Sequence, residues 1–166
     1  ETLGAATVIC TDKTGTLTEN RMRVHSVMLG LEQHALSELE QDSARVRRAG
    51  LLIEAAAACH SLAGSEIRDA AALQGDPMEI ALVEMAQRLG GTFPTARRVE
   101  EYPFDSDRMR QSVQIETGGG CILFCKGAPE TVLPLCVGIV EGGAARPLEP
   151  AQRTAIAAAQ ERMAAR

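Results

Sequence analysis

Asp12 follows the apolar run ATVICT and is itself followed at once by Lys13, Thr14, Gly15 and Thr16. A carboxylate delivered at a strand end can attack phosphorus to give an acyl phosphate, which divides one hard transfer into two easier ones. Loop amides, hydroxyls and Mg²⁺ would neutralise the transferring phosphoryl group. The same residue types also suit a plain surface turn, in which the aspartate side chain bonds its own backbone. Three further residues stand in chemically suggestive settings. Glu79 comes three residues after Asp76 in GDPMEIAL, Phe104 lies between Pro103 and a charged stretch, and Lys126 follows the apolar CILFC and precedes Gly127. Each also has an ordinary account. Glu79 completes a capping box, Phe104 suits the end of a core strand, and Lys126 suits a solvated strand end.

The elements that would hold these residues are legible from patterning. ATVICT is a short apolar run of the kind that forms a buried strand. MRVHSVML (22–29) is strand-like, and the polar stretch that follows, to residue 50, reads as a solvated loop or exposed helix. Residues 45–62 read as one helix, weakly interrupted by Gly50. A further helix is clearly marked by Asp76 at its N-cap, Pro77 at its first position, Met78, Leu82, Met85 and Leu89 along one face, and Gly90–Gly91 as its stop. ARRVEEYPF and the two runs flanking Gly118–Gly120 read as strands, the latter pair as a hairpin. Pro129 opens a short helix, GIVEGGAARPL a second hairpin or loop, and Pro150 a last helix. The fold class is α+β, an antiparallel sheet flanked by helices and preceded by the first strand of another domain.

With 166 residues and a net charge of −5, the chain is long enough for one core or for one domain plus a piece of another, and it offers no basic excess for nucleic acid. It contains one tyrosine, three phenylalanines and no tryptophan, so any aromatic outside the core needs a reason. The five cysteines lie mostly in apolar runs and read as reduced thiols. No stretch reaches 18 apolar residues, no signal peptide opens the chain, and both ends read as interior to a longer protein. His60 suits a helix end favoured by the dipole, and Arg45, Arg47 and Arg48 suit a solvated face.

DKTGTLT (12–18) resembles the phosphorylation motif of P-type ATPases, the membrane pumps that work through an aspartyl phosphate. GDPMEIAL (75–82), YPFDSDRMR (102–110) and FCKGAPE (124–130) resemble, in family order, three nucleotide-site motifs, in forms similar to the calcium and sodium/potassium-like branch. The resemblance implies that Asp12 is the phosphorylated nucleophile, with its carboxylate and the Thr14 backbone carbonyl binding Mg²⁺. Lys13, Thr14, Gly15 and Thr16 would surround the phosphoryl group, and Thr14 would stand where related soluble phosphatases carry a second aspartate. It further implies that Phe104 stacks on adenine, Glu79 meets the base, Lys126 lines the adenosine pocket, Gly127 permits close ligand approach, and Arg108 and Arg110 supply charge near the phosphates.

Two residues depart from the family pattern: Met109 stands where a lysine is common, and Gln111 where methionine or leucine is usual. Asp107 and Arg108 can pair locally, as a surface ion pair. On the resemblance, residues 1–25 open a Rossmann-like phosphorylation domain and residues 26–166 are most of the nucleotide-binding domain. ATP and Mg²⁺ are the implied cofactors. The transported cation and the remaining phosphorylation, actuator and transmembrane domains are the implied partners. The chain itself would be a soluble, cytoplasmic portion of an integral membrane protein that binds nucleotide without turning over. The rival readings are a soluble phosphohydrolase of the same superfamily, which would need an aspartate at position 14, and a non-catalytic nucleotide-binding or interaction module.

Overall fold

A computed structural model of the chain describes residues 19–63, 73–91, 97–141 and 143–165. The strand expected over ATVICT, and with it Asp12, Lys13, Thr14 and Thr16, lies outside the described residues. A first hairpin pairs β1 (Ser26–Leu29) with β2 (Glu32–Ala35). Gly30, at φ +64°, takes the first position of its two-residue turn, where a side chain would be strained. Two short helices follow, α1 (Leu36–Glu40) and α2 (Ser43–Arg48), then α3 (Gly50–Ala58) and α4 (Pro77–Arg88). The central sheet is β3 (Arg98–Asp105), β4 (Arg110–Thr117) and β5 (Gly120–Gly127), antiparallel in the order β3-β4-β5. The short helix α5 (Pro129–Val132), a 3₁₀ turn over Leu133–Leu135, the hairpin β6 (Gly138–Glu141) with β7 (Ala144–Pro147), and α6 (Pro150–Ala164) complete the order. Antiparallel sheets flanked by helices are thus the architecture, as the sequence indicates.

Of the two readings of the polar stretch to residue 50, exposed helix holds for α2, which buries no residue, while β2 and the inward-facing α1 were not expected. Leu36 and Leu39, three residues apart, both point inward at 4% and 0% exposure, and they join Val27, Ile53, Met85 and Leu89 in the largest core cluster. Average polarity hid two well-spaced leucines. The helix expected over 45–62 is two: α2 stops at Arg48, Ala49 leaves helical geometry at ψ 1°, and α3 restarts at Gly50. In α4 the expected stripe is only partly the buried one. Met85 and Leu89 are buried and Leu82 half-buried, but Met78 is 48% exposed. The helix is covered on two sides: Met85, Ala86 and Leu89 pack toward α3, while Val83 and Ile80 pack on Leu62 and Leu73. Its start and stop are as the sequence marks them. Asp76 accepts from Met78 N and Glu79 N at 2.8 and 3.2 Å, and Gly91 N donates to Ala86 O at 2.8 Å beyond Gly90 at φ +76°.

The inner face of the sheet is the row Val113, Ile115 and Phe124, seated on Ala58 and Cys59 at the end of α3. Gly127 is required by its own neighbour strand, since it pairs with Arg110. A Cβ there would come within 2.5 Å of Met109 O and 2.6 Å of Arg110 Cβ. Gly127→Ala is therefore expected to cost about 1–3 kcal/mol as an overpacked site, read as a lower urea midpoint. An unchanged midpoint would show that β4 and β5 separate there without cost. Among the described residues no helix is long and apolar enough to cross a membrane.

Candidate functional site

β3 gains a residue against β4 near its end. Tyr102 pairs with Ser112 and Asp105 with Arg110, so Pro103 and Phe104 together stand opposite Gln111. Such a bulge re-aims side chains. Gln111 in turn pairs with Lys126 on β5, so Phe104, Gln111 and Lys126 form one row across three strands. Phe104 is 64% exposed, which removes it from the core and leaves a flat apolar face to solvent. At the other end of the row Lys126 Nζ donates to Glu79 Oε1 at 2.6 Å, with the two side chains 21% and 10% exposed.

Glu79 sits at the third position of α4 but does not close a capping box. Its second oxygen, Oε2, accepts from Ser61 N at 3.0 Å, in the segment just past α3. The largely buried carboxylate thus accepts from two donors, one on each oxygen. The hydroxyl of Ser61 is held as well: it accepts from Gln111 Nε2 at 2.6 Å and donates to Glu101. Arg98 then joins Glu101 Oε2, at 3.1 Å, to the α3 carbonyl of Ala58, at 2.9 Å. Cys59 fills the space beneath, its thiol directed at the carbonyls of Gln111 and Phe124, each at 3.7 Å. Burial pushes that thiol up from its ordinary range, which keeps it protonated.

The turn after Phe104 carries the arginines. Asp105 Oδ1 accepts from the amides of Asp107 and Arg108 at 2.9 and 2.8 Å, and these bonds hold its carboxyl below the usual carboxylate range, the Arg108 amide contributing most. Arg108 consequently faces Asp105, at 3.9 Å, and Pro103 O, at 3.3 Å. The ion pair is with Asp105 rather than Asp107, because the turn draws Asp105 inward. Arg110 donates to Arg108 O at 3.1 Å. Met109 takes φ +49°, uncommon for a side-chain-bearing residue, while its carbonyl receives Ala128 N at 3.0 Å.

The structure therefore brings Glu79 and Lys126 into contact, sets Phe104 on their row, and places Arg108, Arg110 and Gly127 at the adjoining strand ends. Ser61, Glu101 and Arg98 carry no motif and were not legible in the sequence. Gln111 left one signal, an amide where the family pattern has methionine or leucine.

His60 is not a solvated helix-end imidazolium. It is 2% exposed, its Nδ1 accepts from Leu62 N at 3.2 Å, and its pKa is lowered from 6.5, first by burial and then by Arg98, against a smaller opposing pull from Glu79. The unfolded chain therefore binds a proton here at a higher pH than the folded chain does. The stability held by neutral His60 is present above pH 6.5 and is lost as pH falls through the lowered value. The thermal midpoint should drop between pH 7.5 and 5.5, and His60→Asn should flatten that drop. Equal drops in both proteins would remove His60 as the source.

The fold is an antiparallel sheet backed by helices, with an open aromatic on the register row of a lysine bonded to a buried glutamate. The family model of the P-type ATPase cytoplasmic domain N matches residues 48–166, and the chain belongs to that family. It is 35% identical over 175 residues to calcium-transporting ATPase 4, plasma membrane-type, of Arabidopsis thaliana, covering 94% of this chain and 16% of that protein. It is 36% identical over 141 residues to calcium-transporting ATPase 1 of Lactococcus lactis, covering 82% and 15%. It is 37% identical over 136 residues to a probable cation-transporting P-type ATPase of Mycoplasma genitalium, covering 82% and 14%. The chain spans 14–16% of the length of these curated relatives.

Proposed function

We propose that this chain is the ATP-binding part of a cation pump and that, in the whole protein, the γ-phosphate of ATP passes to Asp12. The observation that carries the reading is Phe104, 64% exposed on the same sheet row as the Lys126–Glu79 pair. An aromatic face open to solvent can stack on a base, and base–aromatic stacking needs no further reshaping of the sheet. Glu79, an acceptor held by two donors, would receive the exocyclic amine of adenine. Lys126 would line the adenosine side, with Arg108 and Arg110 at the phosphate end. Arg108 donates to the carbonyl of Pro103 and Arg110 to that of Arg108, which keeps both guanidiniums near the end of the Phe104 bulge. Gly127, closed against Met109 and Arg110, would serve by keeping the β4–β5 end tight around Lys126.

In the transfer, a carboxylate oxygen of Asp12 attacks the γ-phosphorus, the bond to the bridging oxygen breaks, and ADP leaves. Lys13, Thr14 and Thr16 would surround the phosphoryl oxygens. The Asp12 carboxylate and the Thr14 carbonyl are hard oxygen donors of the kind Mg²⁺ prefers, and the ion would supply charge neutralisation there. Residues 1–25 would belong to the phosphorylation domain and 26–166 to the nucleotide-binding domain. The names of the relatives make calcium the leading cation for the parent, with movement carried out by domains outside this chain. Alone, the chain would bind nucleotide without turnover.

Titration of the ¹⁵N-labelled chain with AMP-PNP tests the reading. The amides of Glu79, Phe104 and Lys126 should shift together and saturate. A folded chain in which those amides stay still would overturn it.

A further inference from the structure

Gln111 lies on the inner row of β4 with Val113 and Ile115, and it is only 2% exposed. An amide at such a position is costly unless bonded. Its Nε2 donates one N–H to Ser61 Oγ at 2.6 Å, and that hydroxyl continues to Glu101, which Arg98 ties to the end of α3. Ser61 belongs to no helix or strand, yet its backbone N–H is the donor that fixes Glu79 Oε2 at 3.0 Å. The other oxygen is fixed by Lys126. The direction of the Glu79 carboxylate is therefore set from two sides, one of them through a chain of side chains that reaches no ligand.

We propose that Ser61, anchored by Gln111 and Glu101, is a positioning residue that aims Glu79 and thereby sets selectivity for a purine bearing a 6-amino group over one bearing a 6-oxo group. This rests on the reading of Glu79 as facing the base. A carboxylate accepts from a 6-amino group and repels a 6-oxo group, and the contrast survives only while the carboxylate keeps its orientation. Loosening Ser61 lets Glu79 swing toward Lys126 alone, which weakens the good contact and relieves the bad one.

The test is calorimetric titration of the full chain with ATP and with ITP, which differ at that end of the base. Wild type, Gln111→Leu, Ser61→Ala, the double variant and Glu79→Gln are compared. Each single change should lower the ATP-to-ITP affinity ratio by about fivefold, the worth of one net hydrogen bond, and the double variant should fall no further, since both changes cut the same link. A merely structural role would lower both affinities equally and leave the ratio alone. Ser61 is exposed, so Ser61→Ala keeps the test open if Gln111→Leu fails to fold. An unchanged ratio in folded Ser61→Ala, with the ratio collapsed in Glu79→Gln, overturns the positioning role only. An unchanged ratio in Glu79→Gln, or no wild-type binding of ATP, overturns the base-facing reading and this proposal with it.

Discussion

Lys126→Met will lower the stability of the domain by about 2–4 kcal/mol, somewhat under the loss usual for a fully buried ion pair because both groups retain some solvent. Methionine matches the length of the lysine stem, so packing against the sheet is kept and the loss reports the missing charge. Glu79 is left 10% exposed with the Ser61 amide as its remaining donor at 3.0 Å, and an unmatched carboxylate in that setting is expensive. The paired change Glu79→Gln with Lys126→Met should recover most of the loss, since neither member then carries charge. Urea unfolding of the two singles and the double separates these terms. A Lys126→Met midpoint equal to wild type would mean that the 2.6 Å contact carries no net energy. On the proposed reading the same variant also weakens AMP-PNP, because the released Glu79 no longer holds its direction.

Phe104→Ala will leave stability within about 0.5 kcal/mol of wild type, as surface substitutions do, and on the proposed reading it will remove most of the nucleotide affinity. The ring is 64% exposed and belongs to none of the three core clusters. Loss of one base–aromatic stack costs about 1–3 kcal/mol, roughly five- to 150-fold in Kd. Phe104→Trp should keep or raise the affinity, since it enlarges the stacking face. The pair of variants separates stacking from a packing role: a ring that only supported the bulge would show its loss in the unfolding curve rather than in the titration. Retained affinity in Phe104→Ala would move the base away from this row.

Lys126→Met and Phe104→Ala act on the two ends of one row, and the distinction between them lies in burial. One end is an interlocked pair whose removal is felt by the fold, and the other is an open face whose removal, on the proposed reading, is felt by the nucleotide alone.

Local chemistry is what the sequence determined. Asp76–Pro77 starts a helix wherever it is placed, Gly90–Gly91 ends it, and the glycines at 118–120 turn a hairpin, because caps and turns depend on a few adjacent residues. The motifs likewise carried Glu79, Phe104 and Lys126, and the family to which the chain belongs. What only the tertiary structure decided was whom these residues face. The capping-box spacing at Glu79 was present, but its carboxylate turned to Ser61 and Lys126, 18 and 47 residues away, because a partner with a full charge outweighs one more helix amide. His60 was read from its helix end, while desolvation between α3 and the sheet set its protonation. Arg108 found Asp105 rather than Asp107 through the fold of one turn. Ser61 and Gln111, 50 residues apart, became one linkage only when β4 was laid beside the end of α3. Spacing along a chain fixes neighbours within a turn or a helix, whereas bonds across such separations depend on packing, and packing is where this site acquires its geometry.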